Sequence, residues 1–557
     1  MAPRNFIKQG FGLLLTRQTN ILKAAFIIMI TIILSQALGL IRQRLLVSIF
    51  GASNTLGIYL VSARLPDFLF QLIIAGALSS AIIPIFSDYL GKGKQEEMNR
   101  LGSTLLTLGI ILFSALAVIL FIFSFNFSQL IAPGFSKDQL ELMSGLMRII
   151  IIGQLLFLIG SFFSAVLQSH NHFFIPGFAA ALYNLGIIIG IVFLNPFFGI
   201  YSAAYGVILG AFIFMIAQVP LVRNVKFSLK PVFSLNPLKD KGVRKVLKLM
   251  WPRTLSIAIF QFGTLITVTF ISYLQEPGRN YVIFDLAQTL AFAPVSLIGN
   301  AIAQAAFPVL SREKDKIEEF KSTFITSFNQ MLYLILPVSV LVLVLRIPLV
   351  RLIYGATRFD WPATVLTGRT LAFFSLSIFA QSLIYLVSRG FYALHDTKIP
   401  LIVGAMSTII MISMSWASVF VYDMGVMGIA FSFSIASIIN LIISFILLDI
   451  KTGGFKKLEF IFSVSKIFVA TFFTAVALYV PIKLLDQLVF DTTRTINLLV
   501  LTGISSFVGL SLYLFLTWLF DVKEASTFLL LFKKLGNWRE ILEKSDEAID
   551  ATAHTKV

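Results

Sequence analysis

The stretch "AAFIIMITIILSQALGLIRQRLLVSIFGA", Ala24–Ala52, decides the fold class. Residues 24–41 carry no charge, and two arginines, Arg42 and Arg44, follow at once. A helix of about 20 such residues crosses a hydrocarbon core of roughly 30 Å. Arginines at the end of such a run either snorkel to lipid headgroups or face an internal cavity.

The rest of the chain repeats the pattern. It has 557 residues, 57% of them hydrophobic and only 13% charged, with a mean hydropathy of +0.91. That is too little charge to cover the surfaces of several soluble domains. Fourteen apolar blocks lie near 24–41, 66–88, 101–124, 146–168, 173–194, 199–222, 249–274, 281–310, 324–345, 370–388, 399–422, 425–450, 459–482 and 496–520. Backbone groups in lipid must pair within their own segment, so these blocks predict helices and an all-α polytopic membrane protein.

The net charge of +17 is not spread as a nucleic-acid surface. Lysines and arginines cluster in short connections such as "VRNVKFSLKPVFSLNPLKDKGVRKVLK", the pattern of cytoplasmic loops, and no nucleic-acid partner is expected. The N-terminus, the even-numbered connections and the tail carry 30 Lys plus Arg; the odd-numbered connections carry 10, and four lie within spans (Arg64, Arg148, Arg253, Lys466). This bias places both termini in the cytoplasm. No cleavable signal peptide is expected, because the basic start leads into a full-length apolar block. The chain has no cysteine, which excludes disulfides, thiolate metal sites and cysteine nucleophiles.

An internal repeat is legible. "IIPIFS" (Ile82–Ser87) resembles "AFPVLS" (Ala306–Ser311), with Pro84 and Pro308 separated by 224 residues. "HNHFFIP" and "HDTKIP" end at Pro176 and Pro400, again 224 apart, and "GIYSAA" from Gly199 matches "GVMGIA" from Gly425 at 226. Spans 1–6 and 7–12 therefore read as two copies of a six-helix unit. Six is even, so the copies run parallel, as in transporters whose substrate site lies between two lobes. The expected organisation is an N-terminal six-helix lobe (1–222), a basic cytoplasmic linker (223–248), a C-terminal six-helix lobe (249–450), spans 13 and 14 (451–520) and a polar cytoplasmic tail (521–557) with a short amphipathic helix.

Signals for catalysis are weak. No catalytic residue, metal site or P-loop is expected, and a solvated turn is the favoured reading of His170 and His172 in "SHNH". Without a nucleotide site, a transporter would draw on the membrane potential, a monovalent ion or the substrate gradient; no cofactor is expected. The candidate residues are charges and amides at membrane depth, which are costly in lipid and usually face a cavity. Arg64 and Asp67 in "VSARLPDFLF" share a helix face and are candidates for pairing with each other. Arg253 opens span 7, with Gln261 two turns on. Asp285 and Gln288 share a face of span 8, followed by Asn300 and Gln304 at i, i+4. Asp285 is the isolated acid best placed for coupling. Arg148 reads as an interface anchor.

"ILSQALGLIRQRLLVSIFGA", "ARLPDFLFQLIIAGALSSAIIPIFSDY", "YGATRFD" and "SRGFYALHDTKIP" resemble, in order, the hallmark segments of the MurJ/MviN family of lipid II flippases, within the multidrug/oligosaccharidyl-lipid/polysaccharide exporter superfamily. The resemblance implies two six-helix lobes around a cationic central cavity, with spans 13 and 14 forming a groove for a lipid tail. It implies movement of an undecaprenyl-diphosphate-linked peptidoglycan precursor across the bacterial inner membrane by alternating access, with cavity arginines on the diphosphate. Guanidinium groups suit that task, since they meet phosphate oxygens bidentately. By this resemblance Arg42 and Arg64 are the diphosphate-binding candidates; Arg44 and Arg253, without such a precedent, are candidate compensating cations, and Asp67, Gln261, Asp285 and Gln288 stay the polar or coupling candidates that their own positions suggest. The family's other charged positions fall on Gln36, Gln43, Gly57, Phe70 and Thr289.

The leading reading is a lipid II flippase acting in cell wall synthesis, with the lipid-linked precursor and membrane lipids as partners and cell wall synthesis proteins as candidate ones. The alternatives are a flippase for another polyprenyl-diphosphate glycan, an ion-coupled multidrug extruder and a non-transporting scaffold.

Overall fold

A computed structural model describes residues 21–75, 81–227, 240–488 and 495–526. Among these residues there is no strand, and thirteen helices are each long and apolar enough to cross a membrane. A further pair, Trp361–Ser375 and Ile378–Ala393, passes the same test as one broken span bent by 40°, making fourteen. The tail expected to hold an amphipathic helix lies outside the described residues from 527 onward.

Three spans differ from the hydropathy blocks for physical reasons. The first apolar block ends at residue 41, but the helix Ile21–Phe50 continues through Arg42 and Arg44. It stops only at Gly51, whose φ of +69° is the left-handed position that ends helices. Span 2 begins at Asn54, well before residue 66, and is described as a span through Ile73. Its start is set by Ser53, whose hydroxyl accepts from Leu56 N–H at 3.2 Å; after residues 76–80, which lie outside the described residues, the helix Ile83–Gly91 follows. Arg64 and Asp67 thus lie within the span, whose mean hydropathy is among the lowest of the thirteen. Span 7 belongs to a helix that begins at Lys241, within the basic linker, with Asp240 accepting from Gly242 and Val243 N–H.

The repeat reappears in the backbone. π-helical turns occupy Gln71–Ala75 in span 2 and Val295–Gly299 in span 8, 224 residues apart. Asn171 and His395, also 224 apart, both adopt positive φ (62° and 57°). His172 N–H donates to Leu167 O and Asp396 N–H to Phe391 O, each at 2.9 Å. Span 3 breaks after Ile122 and span 9 after Val344, 222 apart. π-turns and breaks of this kind are where membrane helices bend.

The chain divides into two compact units. The first comprises Met1–Ala287, Ile353–Thr370 and Leu401–Ala436; the second comprises Gln288–Leu352, Leu371–Pro400 and Ser437–Val557. The first unit therefore draws on both repeat copies. In it, spans 5 and 6 pack backbone to backbone. Gly186 and Gly190 sit against Gly210 and Gly206, and a Cβ at Gly190 would come within 2.9 Å of Gly206 N. Small residues four apart let membrane helices approach this closely. A second core, containing Phe86, Met98, Phe162, Val166 and Val222, joins the helices that follow span 2 to spans 3, 4 and 6.

The second unit is built on aromatic side chains. Phe320, Phe324 and Phe328, one turn apart on span 9, meet Phe445 and Phe455, with Phe324 and Phe455 stacked at 5.5 Å. Span 14 is tied to span 9 by Tyr513, whose hydroxyl donates to Tyr333 O at 2.7 Å. Asp396 starts span 11 by accepting from Lys398 and Ile399 N–H, and it pairs with Lys451 at 2.5 Å. Partial burial works against the Asp396 carboxylate, but the Lys451 hydrogen bond and the two backbone donors hold its pKa below the usual carboxylate range.

Candidate polar site on span 2

Span 2 carries a polar stripe through an apolar helix. Arg64, Asp67 and Gln71 are spaced i, i+3 and i+7, so they lie on one face. Each finds a partner on a different helix of the same unit. Arg64 donates through Nη2 to Asp285 Oδ1 and through Nε to the Tyr281 hydroxyl, both on span 8. Gln154 of span 4 donates to Asp67 Oδ1 at 2.5 Å. Gln261 of span 7 donates to Gln71 Oε1, also at 2.5 Å.

Asp285 accepts from two sides. Beyond Arg64, Gln43 of span 1 donates to its second oxygen at 3.1 Å. The aspartate side chain is 11% exposed and that of Arg64 28%, so the pair is largely withdrawn from solvent. Arg64 also lies over the Tyr281 ring, with Cζ 5.6 Å from its centroid. A carboxylate and a guanidinium in such a site are stable only together, because either alone would leave an uncompensated charge.

The structure corrects the local pairing of Arg64 with Asp67. Both side chains share a face, but Arg64 takes the acid 221 residues away, and Asp67 takes the Gln154 amide. Arg42 is half-buried, close enough for its charge to act on Asp67 and Tyr59. Among the described residues no hydrogen bond or ion pair holds it. Arg44 is exposed, Gln36 is exposed, and Gln288 is half-buried one turn beyond Asp285. The Arg253 side chain lies outside the described residues. Of the candidates from the sequence, the structure brings Arg64, Asp67, Asp285 and Gln261 into hydrogen-bonded contacts around span 2, and it adds Tyr281, Gln71, Gln154 and Gln43, which the sequence reading did not single out as candidates. Gln154, alone in "IIIIGQLLFLIG", was legible as an amide at membrane depth; Tyr281, at the helix start, carried no such signal.

The solvated-turn expectation for the two histidines is corrected here. His170 and His172 are buried, 5% and 7% exposed, rather than solvated; His170 Nδ1 lies 2.9 Å from Val166 O. No group of three or more His, Asp or Glu among the described residues could hold a metal. Arg148 is held inside the protein, donating to Ser124 Oγ at 2.7 Å and Phe121 O at 3.2 Å.

One end of this unit is tightly closed beside the stripe. Gly57 packs against the Gly278 backbone so closely that a Cβ would overlap the carbonyl, and Gly278 in turn abuts Asn54. The family acid expected at position 57 has no room in this arrangement. Arg279 meets Asp360, its Nη2 2.7 Å from Oδ2, while its backbone N–H donates to Asn54 Oδ1 at 3.1 Å. Arg358 donates to Ile49 O. Connections from spans 1, 2, 8 and 10 are thus knitted together next to Arg64.

The profile described as "Lipid II flippase MurJ" matches residues 46–499. A probable lipid II flippase MurJ of Buchnera aphidicola subsp. Acyrthosiphon pisum is 27% identical over 504 residues, covering 89% of this chain and 97% of the relative. One from Thermotoga maritima is also 27% identical, over 76% of this chain and 84% of the relative. Among solved structures, "Lipid II flippase MurJ, inward closed conformation" shares the fold with a TM-score of 0.73 at 22% identity, covering 89% of this chain and 98% of that one. An inward-facing multidrug resistance MATE family transporter matches with a TM-score of 0.63 at 14% identity, over 75% and 94%. The family match extends over most of the chain and includes the whole stripe on span 2, from Arg64 to Gln71, together with Asp285: this chain belongs to the MurJ lipid II flippase family.

Proposed function

We propose that this chain moves lipid II from the inner to the outer leaflet of the bacterial cytoplasmic membrane by alternating access, supplying cell wall synthesis. The observation that carries the reading is the family match over residues 46–499, together with a Buchnera relative covered over 97% of its length. The excess of Lys and Arg in even-numbered connections supports an orientation with both termini inside. In that orientation the knitted end at Gly57, Arg279 and Arg358 faces outward. The enzymes that make and consume lipid II are the partners this reading implies.

In this reading Arg64 and Arg42 hold the diphosphate. Arg64 is occupied by one carboxylate, Asp285, which Gln43 steadies. A diphosphate brings more negative charge and more acceptor oxygens than a carboxylate, so substrate entry exchanges one counter-ion of Arg64 for another. Asp285, once released, is the group available to a monovalent cation, or to the membrane potential as a moving charge. No bond is made or broken in the substrate, and the work is binding, exchange and reorientation.

Depletion complementation tests the reading. Wild type is expected to rescue cells deprived of their own lipid II flippase, and Arg64→Ala and Arg42→Ala to fail at normal expression. Rescue that survives both substitutions overturns the arginine–diphosphate assignment. Failure of well-expressed wild type overturns lipid II as the substrate.

A further inference from the structure

A second polar site lies in the other compact unit. A cavity of about 580 Å³ opens where span 9 begins, span 13 begins and span 14 ends. Its lining includes Lys321, Asn329, Ser463, Lys466, Lys523 and Glu524. Three observations make it more than a solvated cleft.

The first is Lys466. It lies nine residues into the helix Lys457–Leu488, roughly 14 Å from its start, where a cation needs a partner. Among the described residues its one recorded contact is the Phe462 ring, 4.9 Å from Nζ. Neighbouring cations are already matched: Lys321 pairs with Glu318 at 2.8 Å and Lys456 with Glu459 at 3.8 Å.

The second is a pair of buried acceptors without donors. Glu524 and Asn329 are each 7% exposed. Among the described residues Glu524 Oε2 and Asn329 Oδ1 have no hydrogen-bond partner, although Asn329 Nδ2 donates to Ser463 Oγ at 3.3 Å. A buried carboxylate oxygen left unpaired costs free energy until a donor reaches it. The third is the rim: Phe462, which lines the cavity, is 65% exposed, and Ile461 beside it is 62% exposed. Such side chains in a membrane helix face acyl chains.

We propose that this cavity binds the headgroup of an aminophospholipid, its phosphate on Lys466 and the Ser463 hydroxyl and its primary ammonium on Glu524 and Asn329. An anion alone satisfies Lys466 but leaves both acceptors bare; a cation alone does the reverse. A zwitterion with N–H donors satisfies all of them, and the apolar rim selects a lipid over a soluble phosphoamine. With the termini inside, the lipid belongs to the cytoplasmic leaflet, where basic pockets between helix ends take lipid headgroups. The site is independent of the lipid II reading.

Native mass spectrometry of the full chain tests this, using phosphatidylethanolamine, phosphatidylcholine and phosphatidylglycerol with the same acyl chains. Phosphatidylcholine keeps the charges but has no N–H donor, and phosphatidylglycerol lacks the ammonium. Wild type is expected to retain phosphatidylethanolamine about tenfold better than phosphatidylcholine, the worth of a charge-assisted hydrogen bond. Glu524→Gln should erase that preference without lowering retention of phosphatidylglycerol, while Lys466→Met should lower retention of all three. Equal retention of the three lipids by wild type, or a preference unchanged in both variants, overturns the proposal. The wild-type comparison holds even if a variant misfolds. Free phosphoethanolamine that competes at the lipid's own concentration overturns the lipid as source. Rescue of a flippase depletion by a wild type that shows no headgroup preference would overturn this site and leave the transport reading standing.

Discussion

The two repeat copies share a backbone and differ in charge. At the corner before the shared proline, His172 and Asp396 make the same backbone hydrogen bond, yet His172 is buried and Asp396 is in an ion pair with Lys451. On spans 2 and 8 the π-helical turns coincide at an offset of 224. At that offset Arg64 corresponds to Gln288, and the span 8 charge sits one turn earlier, at Asp285. Duplication preserved where the helices bend. Side-chain charge then diverged, and the first copy's cation now pairs with the second copy's anion.

The largest effect is expected from breaking that pair. Arg64→Ala or Asp285→Ala should each destabilise the protein by about 3–5 kcal/mol, since each leaves a buried charge alone. The exchange Arg64→Asp with Asp285→Arg should recover part of the loss, and thermal unfolding in detergent measures all three. Additive losses, with no coupling between the two sites, would mean that the pair is not formed.

Next comes Gly57, whose equivalent at the same offset is Tyr281. Gly57→Ala should cost about 1–3 kcal/mol by pushing against the Gly278 backbone. Gly404, which has open space around a would-be Cβ, is the control, and Gly404→Ala should be neutral or stabilising by about 0.5–1 kcal/mol. Equal effects at the two glycines would show that the close contact at Gly57 is absent.

The Asp396 corner gives a smaller, pH-dependent effect. Its folded-state pKa is depressed, so its contribution is present above the unfolded value of about 3.9. That contribution is lost as pH falls through the lower folded value. Asp396→Asn should lower the melting temperature at neutral pH, and its deficit relative to wild type should shrink below about pH 4. A deficit unchanged by acid would contradict the assigned ion pair.

The smallest perturbation tests the parallel repeat itself. The absence of native cysteines lets single cysteines report topology without background. Lys94 and Lys316 precede equivalent helices 222 residues apart. Lys94→Cys and Lys316→Cys should both react with a membrane-impermeant thiol reagent only from the cytoplasmic side. Lys137→Cys, on an odd-numbered connection, should react from outside. Opposite labelling of the first two would refute a parallel arrangement.

Much of the fold was legible in the sequence because the bilayer imposes a simple rule. Each spanning segment must be long, apolar and helical, so hydropathy alone yields fourteen blocks and an all-α protein. The repeat was legible through Pro84 and Pro308, and through Pro176 and Pro400, because helix corners need particular residues. Helix limits were less so. Hydropathy ends span 1 at the arginines, whereas Gly51 ends the helix; it also starts span 2 at residue 66, whereas the helix begins at Asn54, capped by Ser53.

What the sequence by itself determined is therefore the class, the span number, the internal repeat and the family, all of which rest on local composition and on order along the chain. What only the tertiary structure decided is pairing. Nothing in the spacing of Arg64 distinguishes Asp67, three residues away, from Asp285, 221 residues away. Nothing in "SNTLGIYL" says that Gly57 must be bare because Gly278 lies against it. A buried charge takes the partner that packing brings within hydrogen-bonding distance, and packing is a property of the assembled helices rather than of any one of them.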